Sequence, residues 1–176
     1  MNKLKCCVII GILFVLATGV PAHFLHEWTG KNKIAGFFTP VNESVWEHMK
    51  LIFFPMLIYS LSVIPGLRSD VPCITSSLCS GILAGTFLIP ALFYTYTALL
   101  GKDVFILDIG IFVLSTIAAF YLSLRLARSC RLRPYTLILC GCVCIVFVCF
   151  LLFSYNPPDS NIFEDPSISC FLFLTY

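Results

Sequence analysis

Charge is what this chain has least of. Only 11% of its 176 residues are Asp, Glu, Lys or Arg, where a soluble domain carries roughly 25%. Hydrophobic residues make up 59% and the mean hydropathy is +0.97. An ordinary water-soluble core is excluded, and a polytopic membrane protein with the lipid bilayer as its partner is the class that remains. The net charge of +2 is too mild for a nucleic-acid partner.

Catalytic signatures are missing too. No H-E-x-x-H zincin motif exists, since His26-Glu27 is followed by Trp28-Thr29-Gly30. There is no G-x-S-x-G, no paired catalytic Asp motif and no Walker A. Cysteine is abundant, with ten residues, yet no C-x-x-C pair occurs, which leaves a zinc ribbon or thioredoxin-like site without support. Cys140, Cys142, Cys144 and Cys149 lie inside an apolar run, where Cys acts as a small hydrophobe. The spacing predicts neither a zinc site nor a disulfide. Cys6 and Cys7, after Lys3 and Lys5, begin the first span, and palmitoylation there is the alternative.

What the chain has is apolar length. Five segments approach the roughly 20 residues a spanning helix needs, at about 6–25, 44–64, 71–100, 104–124 and 134–154. The first has the charged start of a signal peptide, but its apolar character continues to Leu25, so it reads as an uncleaved helix. Residues 29–41 read as a loop with Gly30, Gly36 and Pro40 as breakers, and Pro65-Gly66 reads as the end of the second helix. Ser77, Gly81 and Gly85 recur every four residues, a face that lets two backbones approach closely in lipid. It suits an internal contact or a homo-oligomer equally. The tail, 155–176, is acidic, and its prolines favour extended backbone.

The expected fold is an all-α bundle of five transmembrane helices. With the N-terminus inside, Lys3, Lys5, Arg68, Arg125, Arg128, Arg131 and Arg133 lie inside. Lys31, Lys33, Lys50 and Lys102 lie outside. The positive-inside rule therefore favours N-in, C-out in the cytoplasmic membrane of the cell, with an extracytoplasmic tail.

Two polar knots interrupt this scaffold: His23-Phe-Leu-His26-Glu27-Trp28, and Asn42-Glu43-Ser44-Val-Trp46-Glu47-His48-Met-Lys50. Ser44-x-x-Glu47 matches a capping box. Glu43 and Glu47 fall one turn apart near one face, a repulsion that Lys50, the helix dipole, a shared proton or a cation would offset. His23, Glu27, Glu47 and His48 are residue types that bind a divalent metal such as Zn, Mn or Fe, and Glu43 is the candidate general base. Asp108, about 7 Å down its helix at 1.5 Å per residue, reaches the same neighbourhood; an ionisable residue within a span is a functional candidate by default. Plainer readings exist for each. Glu43 complements the helix dipole, Glu47 caps, His26 sits at the interface, Trp28 and Trp46 belong to the aromatic belt, Lys50 snorkels, and Asp108 pairs with Lys102 or a neighbouring helix.

His23-x-x-x-Glu27-Trp28, the run Pro40-Val-Asn-Glu-Ser-Val-Trp-Glu-His48-x-Lys50 and Phe54-Pro55 together resemble an uncharacterised family of small bacterial multi-pass membrane proteins. The similarity extends along the chain to Pro157-Pro158 and Asp165-Pro166. The family's tail ends in a Gly- and Tyr-containing stretch, from which Ser167–Tyr176 departs. The resemblance implies the membrane fold and the importance of the knots, and it supplies no substrate.

Two functions fit. One is a binding, accessory or regulatory membrane protein whose knots form a packed hydrogen-bond and ion-pair network. The other is a metal-assisted membrane hydrolase or transferase. The orientation is directly testable with single cysteines at positions 33 and 131 in a Cys-depleted background. An impermeant thiol reagent is expected to label 33 from outside and spare 131; the opposite pattern inverts the topology.

Overall fold

A computed structural model describes residues 2–164. Within them the chain forms six α-helices and no strand: α1 (Asn2–Trp28), α2 (Lys33–Phe38), α3 (Val45–Leu67), α4 (Ile74–Leu100), α5 (Phe105–Ser129) and α6 (Thr136–Phe153), the last entered through a 3₁₀ turn at Arg133–Tyr135. Five stretches, Lys3–Trp28, Val45–Leu67, Ile74–Leu100, Phe105–Ser129 and Arg133–Phe153, are long and apolar enough to cross a membrane. Their outer surfaces carry bare side chains such as Leu137 at 87% exposed and Leu99 at 81%. In water that surface would be a continuous apolar patch, whereas in a bilayer it is solvated by lipid.

α1, α3 and α5 are longer than the sequence suggested, while α4 and α6 start two or three residues later than expected. α3 continues through Pro65-Gly66 to Leu67, with the Arg68 N–H donating to the Ile64 carbonyl at 2.9 Å. α5 passes Arg125 and Arg128 and stops only where Cys130 turns left-handed at φ 52°. The expected loop at 29–41 contains the short α2, capped by Asn32, whose side chain accepts the Ile34 N–H at 2.8 Å. The tail's first half is not a free extended strand. The Ile162 carbonyl accepts the Trp46 N–H at 3.0 Å, and Phe163 packs on the Trp46 ring at 4.9 Å. The rest of the tail, residues 165–176 with Asp165-Pro166 and the apolar Cys170–Tyr176, lies outside the described residues.

α3 and α4 form the centre. About half of their most apolar windows is buried, against 17% for α1 and 11% for the α6 span. Phe53, Met49, Ile52 and Met56 of α3 are buried among Val15, Ile82, Phe120 and Phe150. The Ser77-Gly81-Gly85 face is likewise buried within the chain, against α5. A Cβ on Gly81 would come within 2.7 Å of the Ala119 carbonyl, and one on Gly85 within 2.7 Å of the Ala119 methyl. Ser80 and Ser123 donate back into their own helices, to the Ser76 carbonyl at 2.8 Å and the Ala119 carbonyl at 2.9 Å, whereas the Thr86 and Ser115 hydroxyls are buried with no hydrogen-bond partner among the described residues.

The discounted disulfide is present after all, between Cys73 and Cys130, with Cα atoms 5.3 Å apart. Local motif spacing cannot reveal it, because the two residues are 57 apart. They meet because α4 and α5 form an antiparallel hairpin and each cysteine stands at its open end.

The α4–α5 seam makes a paired prediction. Gly81→Leu forces atoms into the Ala119 backbone and is expected to lower stability by about 1–3 kcal/mol. Gly110→Ala, with nothing within 4 Å of the added methyl, is expected to be neutral or stabilising by up to about 1 kcal/mol. Thermal unfolding of both variants in detergent checks the pair.

Candidate metal centre

The site is set by how α3 begins. Ser44 is its N-cap, extended at φ −68° and ψ 153°, and its hydroxyl accepts the Glu47 N–H at 3.4 Å. In a complete capping box Glu47 would reach back to the Ser44 N–H. Asn42 takes that role instead, its Oδ1 accepting from Ser44 at 3.0 Å. The Glu47 carboxylate is thereby released to turn inward.

There it meets Lys50. The ammonium is fully buried and donates to Glu47 Oε2 at 2.6 Å, to Ser154 Oγ at 2.6 Å and to the Gly36 carbonyl at 3.0 Å. Glu47 Oε2 also accepts the Val41 N–H at 2.9 Å. All three ammonium protons are used, so Lys50 does not snorkel. The cluster joins α3 to α2, to the loop before α3 and to the end of α6. Beside it the Tyr155 hydroxyl donates to the Lys33 carbonyl at 3.0 Å. Burial, and then the nearby Glu47 charge, holds that phenol above its ordinary pKa.

Glu43 goes elsewhere. It precedes the N-cap and so is not on the helical face it was expected to share with Glu47. Its Oε2 lies 3.3 Å from His23 Nε2 and 3.5 Å from His48 Nε2, and the two imidazole nitrogens are 3.2 Å apart. His48 Nδ1 is 2.9 Å from the Ser44 carbonyl. A carbonyl only accepts, so Nδ1 carries the proton, and Nε2 of neutral His48 offers a lone pair. Orientation of a ligand imidazole by a backbone carbonyl at its other nitrogen is the usual outer-shell arrangement in metal sites. His23, Glu43 and His48 form a group that could hold a metal ion.

These three residues stand at the polar end of a cavity of about 500 Å³ walled by Gly19, Leu51, Ile89, Phe93 and Phe112. Asp108 lines the same cavity, and of its two expected partners it takes the neighbouring helix, its Oδ1 accepting a hydrogen bond from the Tyr96 hydroxyl of α4 at 2.5 Å. Asp103, in the turn before α5, lines it too; neither it nor Tyr96 is among the candidate residues read from the sequence. A carboxyl and a phenol twelve residues apart across a tight turn is the signal that could have found this pair.

The other expected residues lie apart. Glu27 is exposed beyond the group, and Glu47 belongs to Lys50. His26 is buried under α2, where a Cβ on Gly36 would lie 3.1 Å from its ring. Trp28, 69% exposed and stacked on Phe24 at 5.8 Å, suits the interface belt. Trp46 packs inward on Phe150 at 4.7 Å.

Residues 1–170 match a family of unknown function, DUF6512. The chain belongs to that family. No curated protein matches it, and neither does any solved structure. Membership in DUF6512 names no activity, so the geometry carries the functional question.

The Lys50 cluster generates its own prediction. Lys50→Met leaves Glu47 buried without its counter-charge and is expected to cost about 3–5 kcal/mol. Glu47→Gln/Lys50→Met keeps an acceptor for the Val41 N–H while removing both charges, and is expected to recover much of that loss. If the double variant is no more stable than the single one in denaturant titrations, the charge pair is not what holds this end of the bundle.

Proposed function

We propose that the protein is a metal-dependent membrane enzyme, a hydrolase or transferase, that holds a divalent cation between His23, Glu43 and His48. One observation carries the reading: the near-equilateral triangle of donor atoms with edges of 3.2, 3.3 and 3.5 Å. A tetrahedral zinc ion with ligands at about 2.0–2.1 Å spaces its donors about 3.3–3.4 Å apart.

Three protein ligands leave a fourth position open, which is the pattern of catalytic rather than structural zinc. The cation would supply Lewis acidity and an acidified water. Glu43, first in line as a general base, is spent as a ligand in this arrangement. Asp108, held by Tyr96 in the same cavity, is the better candidate to accept or return a proton. The binding or regulatory reading draws on a different observation, the Glu47–Lys50 network. That network accounts for the other half of the motif as a structural device.

We place the site at the outer face of the cell membrane on the asymmetry of Lys and Arg. The Cys73–Cys130 bond pulls the other way. It lies at the opposite, arginine-rich end, and disulfides persist in oxidising compartments.

Elemental analysis of protein purified in mild detergent tests the metal. Stoichiometric zinc, manganese or iron is expected in the parent and its loss in Glu43→Ala/His48→Ala, while the Glu47→Gln/Lys50→Met protein retains it. Protein that carries none of these metals and binds none when they are added overturns the proposal.

A further inference from the structure

The cavity behind the triangle has properties of its own. It lies within the spanning segments, between α1, α3, α4 and α5, and its depth is apolar: Gly19, Leu51, Ile89, Phe93 and Phe112. Its rim is apolar as well and faces the bilayer, with Val20 at 53%, Ile109 at 46% and Phe105 at 69% exposed. A hydrocarbon chain could therefore enter sideways from the membrane without crossing water. The volume of about 500 Å³ falls in the range of small-molecule sites, about 300–1,000 Å³.

The polar end adds a constraint. Glu43, Asp103 and Asp108 all line the cavity, and no Lys or Arg does. Lys102, the neighbour of Asp103, is exposed and outside the lining. Glu43 is paired with the imidazoles of His23 and His48, so a purely anionic headgroup would meet the carboxyl groups of Asp103 and Asp108 with no Lys or Arg in the lining beside them. A headgroup that carries its own ammonium next to a phosphate finds complements for both. The ammonium sits against Asp103 and Asp108, and a phosphate oxygen reaches the open position beside His23, Glu43 and His48.

We propose that the cavity binds a single-chain, ethanolamine-headed phospholipid, with its chain among Leu51, Ile89 and Phe112 and its ammonium at Asp103 and Asp108. The substrate class deepens the metal reading and rests on it only for the phosphate contact. Apolar chain burial supplies affinity without regard to head, so the discriminating quantity is the preference between heads on one chain.

The test is equilibrium binding of radiolabelled palmitoyl lysophosphatidylethanolamine to the purified full chain in detergent, beside palmitoyl lysophosphatidylglycerol. A preference of about tenfold for the ethanolamine head is expected. Asp103→Lys, a change at an exposed rim residue, is expected to abolish or invert that preference, and Asp103→Asn serves where the lysine variant does not fold. Ile109→Trp is expected to weaken both lipids alike by filling the rim. Equal binding of the two heads, or a preference that Asp103 variants leave unchanged, overturns the proposal. Metal content measured on the same samples separates the two readings. Metal without head preference leaves the metal centre standing, and head preference without metal leaves the lipid site standing.

Discussion

The buried ammonium of Lys50 is the constraint on which this end of the molecule depends. A charge withdrawn from water at a membrane edge is tolerated only when it is paired and its hydrogen bonds are complete. Three acceptors must therefore arrive together: the Glu47 carboxylate from the same helix, the Gly36 carbonyl from α2 and the Ser154 hydroxyl from the end of α6. Gly36 can approach because it has no side chain; a Cβ there would lie 2.6 Å from Val41 Cγ1. One side chain thus fixes where α2, α3 and α6 sit relative to each other.

The same turn of helix then aims the opposite way. Glu47 and His48 are neighbours, about 100° apart around a helix of 3.6 residues per turn. With Glu47 held inward by Lys50, His48 is directed toward α1 and the cavity. His23 meets it there because α1 approaches closely one turn earlier. At Gly19 a Cβ would come within 2.8 Å of the Leu51 carbonyl. The structural cluster and the candidate metal centre both draw on the nine residues Asn42–Lys50, the first through Glu47 and Lys50 and the second through Glu43 and His48.

Much of this was legible in the sequence. Apolar length gave the five spans, and Ser44-x-x-Glu47 located the start of α3, because both depend on local chemistry alone. The pairing of residues within the site was less legible. Helical periodicity put Glu43 and Glu47 on one face, but Ser44 is the cap, so Glu43 lies outside the helix and the periodicity does not apply to it. His23 and Glu27 do share a helix and are one turn apart, yet only His23 faces α3, because the spacing says nothing about which face is turned inward. Lys50 was the hardest to read. Its burial needs Ser154, 104 residues away, and no local pattern anticipates an acceptor supplied by the last helix.

The cavity follows from how the two ends are closed. At the polar end the Lys50 cluster ties α2, α3 and α6, and at the arginine-rich end the Cys73–Cys130 bond closes the α4–α5 hairpin. Between them the small residues of α4 and α5 press the two backbones together. α1 takes part in neither closure, and most of its surface faces lipid. It touches α3 closely at Gly19 and α5 at Gly11, where a Cβ would strike the Phe120 ring, and leaves space toward the polar end. It is tied instead by the hydrogen bond from the Tyr59 hydroxyl to the Cys7 carbonyl near its start and by the His23–Glu43–His48 group near its end, so the triangle is where α1 is joined to the start of α3 beside the cavity.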